Sequence, residues 1–205
     1  MQILRPDGAP SWRAATSDPL GLAVLLYIRD KLVIQHTAAP VLPPVYPTVQ
    51  DKDSTPAGSR LTEQWNQRWA EATGPGGNAD LGMESPTSPF FDSTPELRAA
   101  YEQHLEPAAR WFAPLGRERA EQFMDERAQG LHDPVSEIVR DWQHMSGREP
   151  APFTLTLHFA PVEGHGTWRT GDFKYIVAQN LPRNRGTFIE WLRPIIASAA
   201  SGQLD

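Results

Sequence analysis

The chain has 205 residues, 40 % of them hydrophobic and 21 % charged, long enough to bury a core without staples and too apolar for a disordered segment. Its net charge of −6 works against a general nucleic-acid-coating role, which needs a concentrated positive surface. The absence of cysteine excludes a disulfide framework, zinc–thiolate sites, iron–sulfur clusters and thiol nucleophiles.

The charge is uneven. Residues 1–150 carry 14 basic against 21 acidic side chains, and residues 151–205 carry 5 against 4, so a local basic patch is expected only toward the end. The opening MQILRPDGAPSWR lacks the basic start and apolar core of a secretory signal. The longest apolar run, Leu20 to Ile28, falls far short of the roughly 20 residues that span a bilayer. A cytoplasmic protein without a membrane segment is the expectation.

In chain order, the first predicted helix starts after Ser17 as N-cap, with Asp18 and Pro19 in its first turn. Leu22, Val24, Leu25, Leu26, Ile28, Leu32 and Val33 give it an apolar face wide enough to be buried on more than one side. Residues 38–58 hold five prolines, which rule out helix and central strand, and Pro40 to Pro47 favours polyproline II. A second helix follows over about Arg60–Thr73, with Leu61, Trp65, Trp69 and Ala72 on one face and Gly74-Pro75 as its stop. Residues 74–94 form another long irregular stretch. The apolar content of both stretches predicts that they pack, on their own domain or on a neighbour.

Ser93 and Glu96 have the spacing of a capping box for a third helix carrying Leu97, Tyr101, Leu105, Ala108 and Trp111 or Phe112. Pro107 is expected to kink or split it. A fourth helix over about Arg117–Gln129 would turn Ala120, Phe123 and Met124 inward. A fifth, after Asp133-Pro134, would bury Val135, Ile138, Val139, Trp142 and Met145 and stop at Ser146-Gly147.

The pattern then changes to period two. Phe153, Leu155, Leu157 and Phe159 alternate with polar residues as in a half-buried strand, and Asp172–Gln179 is a second strand. Turn residues lie between them, with a short strand at Thr167–Arg169. A final helix over about Thr187–Ala200 presents Phe188, Trp191, Leu192, Ile195 and Ile196, with Pro194 bending it. Further strands are sought near Gln2–Leu4 and Val33–Thr37. The fold class is therefore α+β: mainly helical, with a small antiparallel β-hairpin or sheet near the C-terminus closed by a last helix. The whole chain, 1–205, reads as one domain with two long Pro-rich irregular segments, 38–58 and 74–94.

Chemistry-bearing motifs are sparse. No phosphate-binding loop, dinucleotide fingerprint, HExxH zinc helix or GxSxG elbow occurs. Gly164-His165-Gly166 and Gly74-Pro75-Gly76-Gly77 lack the strand–turn–helix setting of a phosphate cradle. The best metal or catalytic constellation is His158, Glu163 and His165, with Asp172 nearby, although the same residues suit a solvated hairpin. His132-Asp133 reads as a helix cap. Ser146, beside His144, reads as a helix end rather than a nucleophile. The charges from Arg117 to Arg127 read as a solvated helix face.

Trp168, Arg169, Lys174, Tyr175, Arg183 and Arg185 mix aromatic and basic groups, as in single-strand nucleic-acid binders, but Glu163 and Asp172 sit among them. The segment from Pro40 to Pro47 could dock as polyproline on another protein or cover the chain's own tryptophans; the internal role is favoured.

On these residues the chain is expected to be a non-enzymatic interaction or assembly protein, structural or adaptor in kind. It would work through a protein partner or self-association, with Pro43, Pro44, Tyr46, Phe90, Phe91, Trp168, Arg183 and Arg185 as partner contacts. The first alternative is a small hydrolase or metal-dependent enzyme built on His158, Glu163 and His165. The second is a nucleic-acid-binding accessory protein, disfavoured by charge. No cofactor, metal or catalytic residue is assigned.

Overall fold

The computed structural model describes residues 11–74, 85–131 and 133–203. They form five α-helices and one four-stranded sheet: β1 (Arg13–Ser17), α1 (Leu20–Lys31), α2 (Ser59–Thr73), α3 (Pro95–Ala128), α4 (Pro134–Ser146), β2 (Thr154–Ala160), β3 (Thr167–Gly171), β4 (Lys174–Ala178) and α5 (Arg185–Ser201). The α+β class holds, but the expected C-terminal hairpin is only part of a mixed sheet of order β1-β2-β4-β3. β1 pairs in parallel with β2, β2 in parallel with β4, and β3 alone runs antiparallel, on the outer side of β4.

Two differences from the sequence reading have clear causes. β1 is only five residues long and contains no large aliphatic side chain, so period-two patterning does not mark it. Ser17 therefore ends a strand instead of capping a helix, and α1 begins after Pro19. Residues 33–37 form no strand, and Gln2–Leu4 lie outside the described residues.

The sheet is covered on both faces. Ala160, Ile176 and Ala178 join α1, α2 and the first half of α3 in one core. Leu155, Leu157, Phe159, Tyr175 and Val177 join α4 and α5 in the other. α1 lies within the first of these, with every residue from Gly21 to Arg29 buried, as its broad apolar face requires. α4 uses Val135, Ile138 and Val139 for the second, and its cap is Asp133, which accepts from the Ser136 amide at 2.9 Å. Trp142 is only half-buried, packed against this core, and Met145, in the last turn, is 73 % exposed.

α3 is a single helix of 34 residues, about 51 Å at 1.5 Å per residue, and it contains both Pro107 and Pro114. The expected break does not occur. Each proline frees the carbonyl four residues earlier, on Gln103 and Arg110, and both of those residues are exposed to water. Nor does the expected capping box form. Gln64, from α2, accepts from the amides of Glu96 and Leu97 at 3.1 and 3.0 Å and donates to the Glu96 carboxylate at 2.7 Å. A neighbouring helix thus satisfies donors that α3 does not cap itself.

The proline-rich segment 38–58 folds back over its own domain. Its prolines lack amide donors, and its carbonyls are met by donors from the helices: Arg29 reaches Leu42 O and Pro43 O at 3.0 and 2.7 Å, Trp69 Nε1 reaches Pro40 O at 2.9 Å, and Trp111 Nε1 reaches Pro47 O at 3.0 Å. Asp30 binds Arg29 at 2.6 Å and accepts from the Val45 amide at 2.8 Å. Leu42, Val45 and Val49 are buried as a result. In the second segment Phe91 is fully buried against Tyr101 and Phe90 is half-buried under Arg68; Leu81 and Met83 lie outside the described residues.

Beside the strap, His36 stands edge-on to the stacked rings of Trp65 and Trp69, at 4.8 and 5.2 Å. Burial lowers its pKa from 6.5 to about 4, helped by the nearby Arg29 charge. Buried His104 is shifted the same way.

Two outcomes follow from this arrangement. Arg29→Ala strands Asp30 and two strap carbonyls, and is expected to cost about 3–5 kcal/mol in urea denaturation, as when one partner of a buried pair is removed; a loss below about 1 kcal/mol would mean that the pair does not hold the strap. His36 takes up a proton in the unfolded chain near pH 6.5 but in the folded chain only near pH 4. Stability should therefore fall as pH drops from 6.5 toward 4, with a His36 share of about 1–2 kcal/mol after allowance for solvent still reaching the ring. His36→Phe should flatten that slope, and an unchanged slope would place its origin elsewhere.

Candidate functional site

A cleft of about 350 Å³ opens at the carboxyl edge of the parallel strands. Thr16, near the end of β1, and Phe159, near the end of β2, lie at its base with Phe188 of α5. The second half of α3 forms one wall through Arg119, Gln122, Phe123, Glu126 and Arg127. Leu131, Asp133 and Pro134 at the start of α4, and Pro182 and Arg185 at the start of α5, form the other. Ligands in open α/β sheets bind at this edge because loops and helix starts converge there while the strands hold them rigidly.

This part of α3 is not built as the sequence suggested. The residues turned toward the body are polar: Arg119, Gln122 and Glu126 are half-buried, whereas Phe123 and Met124 are 55 % and 62 % exposed. Arg119 forms an ion pair with Asp18, just after β1, and its guanidinium lies 3.3 Å above the Phe159 ring. Burial raises the Asp18 carboxyl above its ordinary value, with the Arg119 charge offsetting only part of the effect, and burial lowers the Arg119 pKa in turn. Gln122 donates to Glu126 at 2.9 Å and to Pro182 O at 3.3 Å. Arg185 bridges Glu126 and Glu137, at 3.6 and 2.6 Å.

Beside the cleft lies a smaller chamber of about 140 Å³, which shares Arg119, Gln122 and Pro182 with it. Gln179, one residue past β4, lines this chamber; its Nε2 donates to Leu115 O at 3.2 Å, and its Oε1 is buried without a partner.

No family model, no curated protein and no solved structure matches this chain.

The residues put forward from sequence are dispersed. Pro43 and Pro44 belong to the strap, where their carbonyls accept from Arg29 and from the Glu163 amide. Phe91 lies in the first core, and Phe90 and Trp168 pack against it. Tyr46 and Arg183 do come together, with His165, Asn180 and Asn184, around a shallow open depression at the same edge of the sheet. Of the two arginines put forward as partner contacts, Arg183 pairs with Glu118, and Arg185 is the one that lines the cleft.

His158, Glu163 and His165 are not brought together. His158 is buried in the sheet with Nδ1 2.9 Å from Ser17 Oγ across the β1–β2 pair, while Glu163 and His165 are exposed on the following loop. Among the described residues no group of three or more His, Asp or Glu side chains converges as metal ligands would, and no helix is long and apolar enough to cross a membrane. His132 lies outside the described residues. The missed residues are Arg119, Phe123, Phe159, Phe188 and Gln179. One signal was present: the Phe123-Met124 pair interrupts a run of charges, which a purely solvated helix face does not require.

Proposed function

We propose that this chain is a non-enzymatic binding protein whose site is the cleft at the carboxyl edge of the sheet. The observation that carries this reading is the cleft itself: an opening of about 350 Å³ with Phe159 and Phe188 at its base and Phe123 and Leu131 at its mouth. Soluble domains leave such surface uncovered mainly where something else covers it. What supports binding over catalysis is the placement of the reactive side chains. In hydrolytic serine–histidine pairs a third group orders the ring and the hydroxyl faces the substrate. Here Ser17 and His158 join two adjacent strands, and neither lines the cleft.

The neutral apolar fluorophore N-phenyl-1-naphthylamine is expected to bind saturably, at one molecule per chain. Phe123→Asp should weaken it at least tenfold with little change in melting temperature, since Phe123 lies largely in solvent. Unsaturable fluorescence, or equal affinity in the variant, would remove the cleft as the site.

A protein partner is the second reading, favoured by Met124, which lies beside Phe123 on the same overhanging helix. If the partner is a second copy, sedimentation at micromolar concentration should show a dimer that Met124→Lys dissolves. A monomer at all concentrations excludes self-association.

A further inference from the structure

We infer that the solvent-facing side of the second half of α3 pairs with the same face of a second copy of this chain, the two helices running antiparallel about a two-fold axis at the level of Arg119. This rests on a protein partner being bound beside Phe123 and names that partner and its pose; it does not depend on what the cleft holds.

The outer face of α3 changes character along the helix. In the first half it carries Glu102, Glu106 and Arg110, all exposed, with Arg110 paired to Glu106 at 3.9 Å, as a solvated face does. From Ala113 onward the same spacing brings Ala113, Ala120 and Met124 around a single charge, Arg117, with Gly116 and Phe123 along one side. Ala113, Ala120, Phe123 and Met124 are all exposed. A glycine inside a helix loosens it relative to alanine. Nothing in this chain requires one at Gly116: its φ is not positive, and a Cβ added there would meet no side chain and no backbone of another element within 4 Å. The notch is room for a side chain that comes from outside.

The face is complementary to itself. Its small residues lie at one end and its large ones at the other, so an antiparallel copy sets each against its opposite. Met124 lies over the partner's Ala113, Phe123 over the partner's Gly116, and Arg117 beside the partner's Glu121. The two-fold axis makes each contact twice. Arg117 and Glu121 are exposed, and neither forms an ion pair among the described residues, so both are available for this pairing. A parallel copy would instead set Arg117 against Arg117 and leave a gap between the two Gly116 positions. The contact from Ala113 to Met124 is about 18 Å long, shorter than a standard interface needs, so the pairing is weak and concentration-dependent.

The test is sedimentation of the whole chain at low salt, from about 5 to about 200 µM, where a shift from monomer to dimer is expected. Gly116→Leu should weaken the dimer at least fivefold without lowering the melting temperature of the dilute protein, since leucine favours a helix and the position is open. Arg117→Glu and Glu121→Arg should each self-associate at least fivefold more weakly than the parent chain. Their equimolar mixture should recover the dimer, because both cross-pairs are again of opposite charge. The chain has no cysteine, so one introduced thiol reports the pose. Ala120→Cys should be joined to its copy by bismaleimidoethane, whereas Ala128→Cys, about 28 Å from its copy along the axis, should not. None of these positions lines the cleft, so reporter binding by the dilute protein should be unchanged in every variant. A monomer throughout overturns self-association and the pose together. The pose alone falls, with the second copy still the partner, if Gly116→Leu leaves the dimer intact, if mixing the charge variants recovers nothing, or if Ala128→Cys crosslinks as readily as Ala120→Cys.

Discussion

The fold depends on a buried pair of consecutive residues, Arg29 and Asp30, at the end of a helix that is otherwise apolar on every side. A segment with prolines at positions 40, 43, 44, 47 and 56 has no regular run of donors for a sheet ladder, and its carbonyls still require partners once they leave water. Arg29 supplies donors to two of those carbonyls, and Asp30 takes the amide of Val45. With its polar groups satisfied, the strap can bury Leu42, Val45 and Val49 over α1. It then meets the sheet through the bridge between Val45 and Val162 and the bond from the Tyr46 amide to Pro161 O. The charged pair is itself costly to bury, so its role is to fix where the strap lies while the apolar side chains supply the stabilisation.

A similar division between polar positioning and apolar burial explains the cleft. Helices that meet through apolar stripes close to 8–10 Å and leave little space between them. The second half of α3 meets the sheet edge through Arg119, Gln122 and Glu126 instead. These long polar side chains make their contacts to Asp18, Pro182 and Arg185. Phe159 is covered there by the Arg119 guanidinium instead of an apolar side chain, and Phe123 is left at the rim. The cleft is thus a consequence of which stripe of α3 faces inward.

That choice of stripe also marks where sequence reading reaches its limit. The apolar periodicities of α1, α2, α4 and α5 were strong enough to place those helices within a few residues, and the alternation of β2 and the apolar run of β4 identified both strands. Parallel pairing of β2 with β4 could not be read, since the short β3 between them looks like the middle of a simple hairpin. β1 was illegible for want of large side chains. In α3 the sequence offers two stripes, one with Phe123 and Met124 and one with Arg119, Gln122 and Glu126. Local hydrophobicity favours burying the first. The ion pair from Arg119 to Asp18, between residues about a hundred positions apart, selects the second, and no local pattern encodes it. The site residues were missed for the same reason: Phe159 and Phe188 read correctly as apolar core-type positions, and only the tertiary arrangement leaves them facing a cavity.

The histidines complete the argument about what such a site can do. His36 lies against two tryptophans, His104 is buried in α3, and His158 is bonded to Ser17 within the sheet. His144 and His165 are exposed, but neither lines the cleft. Among the described lining residues, the acids Glu126 and Asp133 are engaged with Arg185 and Ser136, and the hydroxyl of Thr16 has no base beside it in the lining. General acid–base chemistry needs a group that can exchange a proton with a substrate in reach. The described walls offer apolar surface and, in the adjoining chamber, a buried acceptor on Gln179. Those are means of holding a molecule by its shape and by hydrogen bonds at the walls.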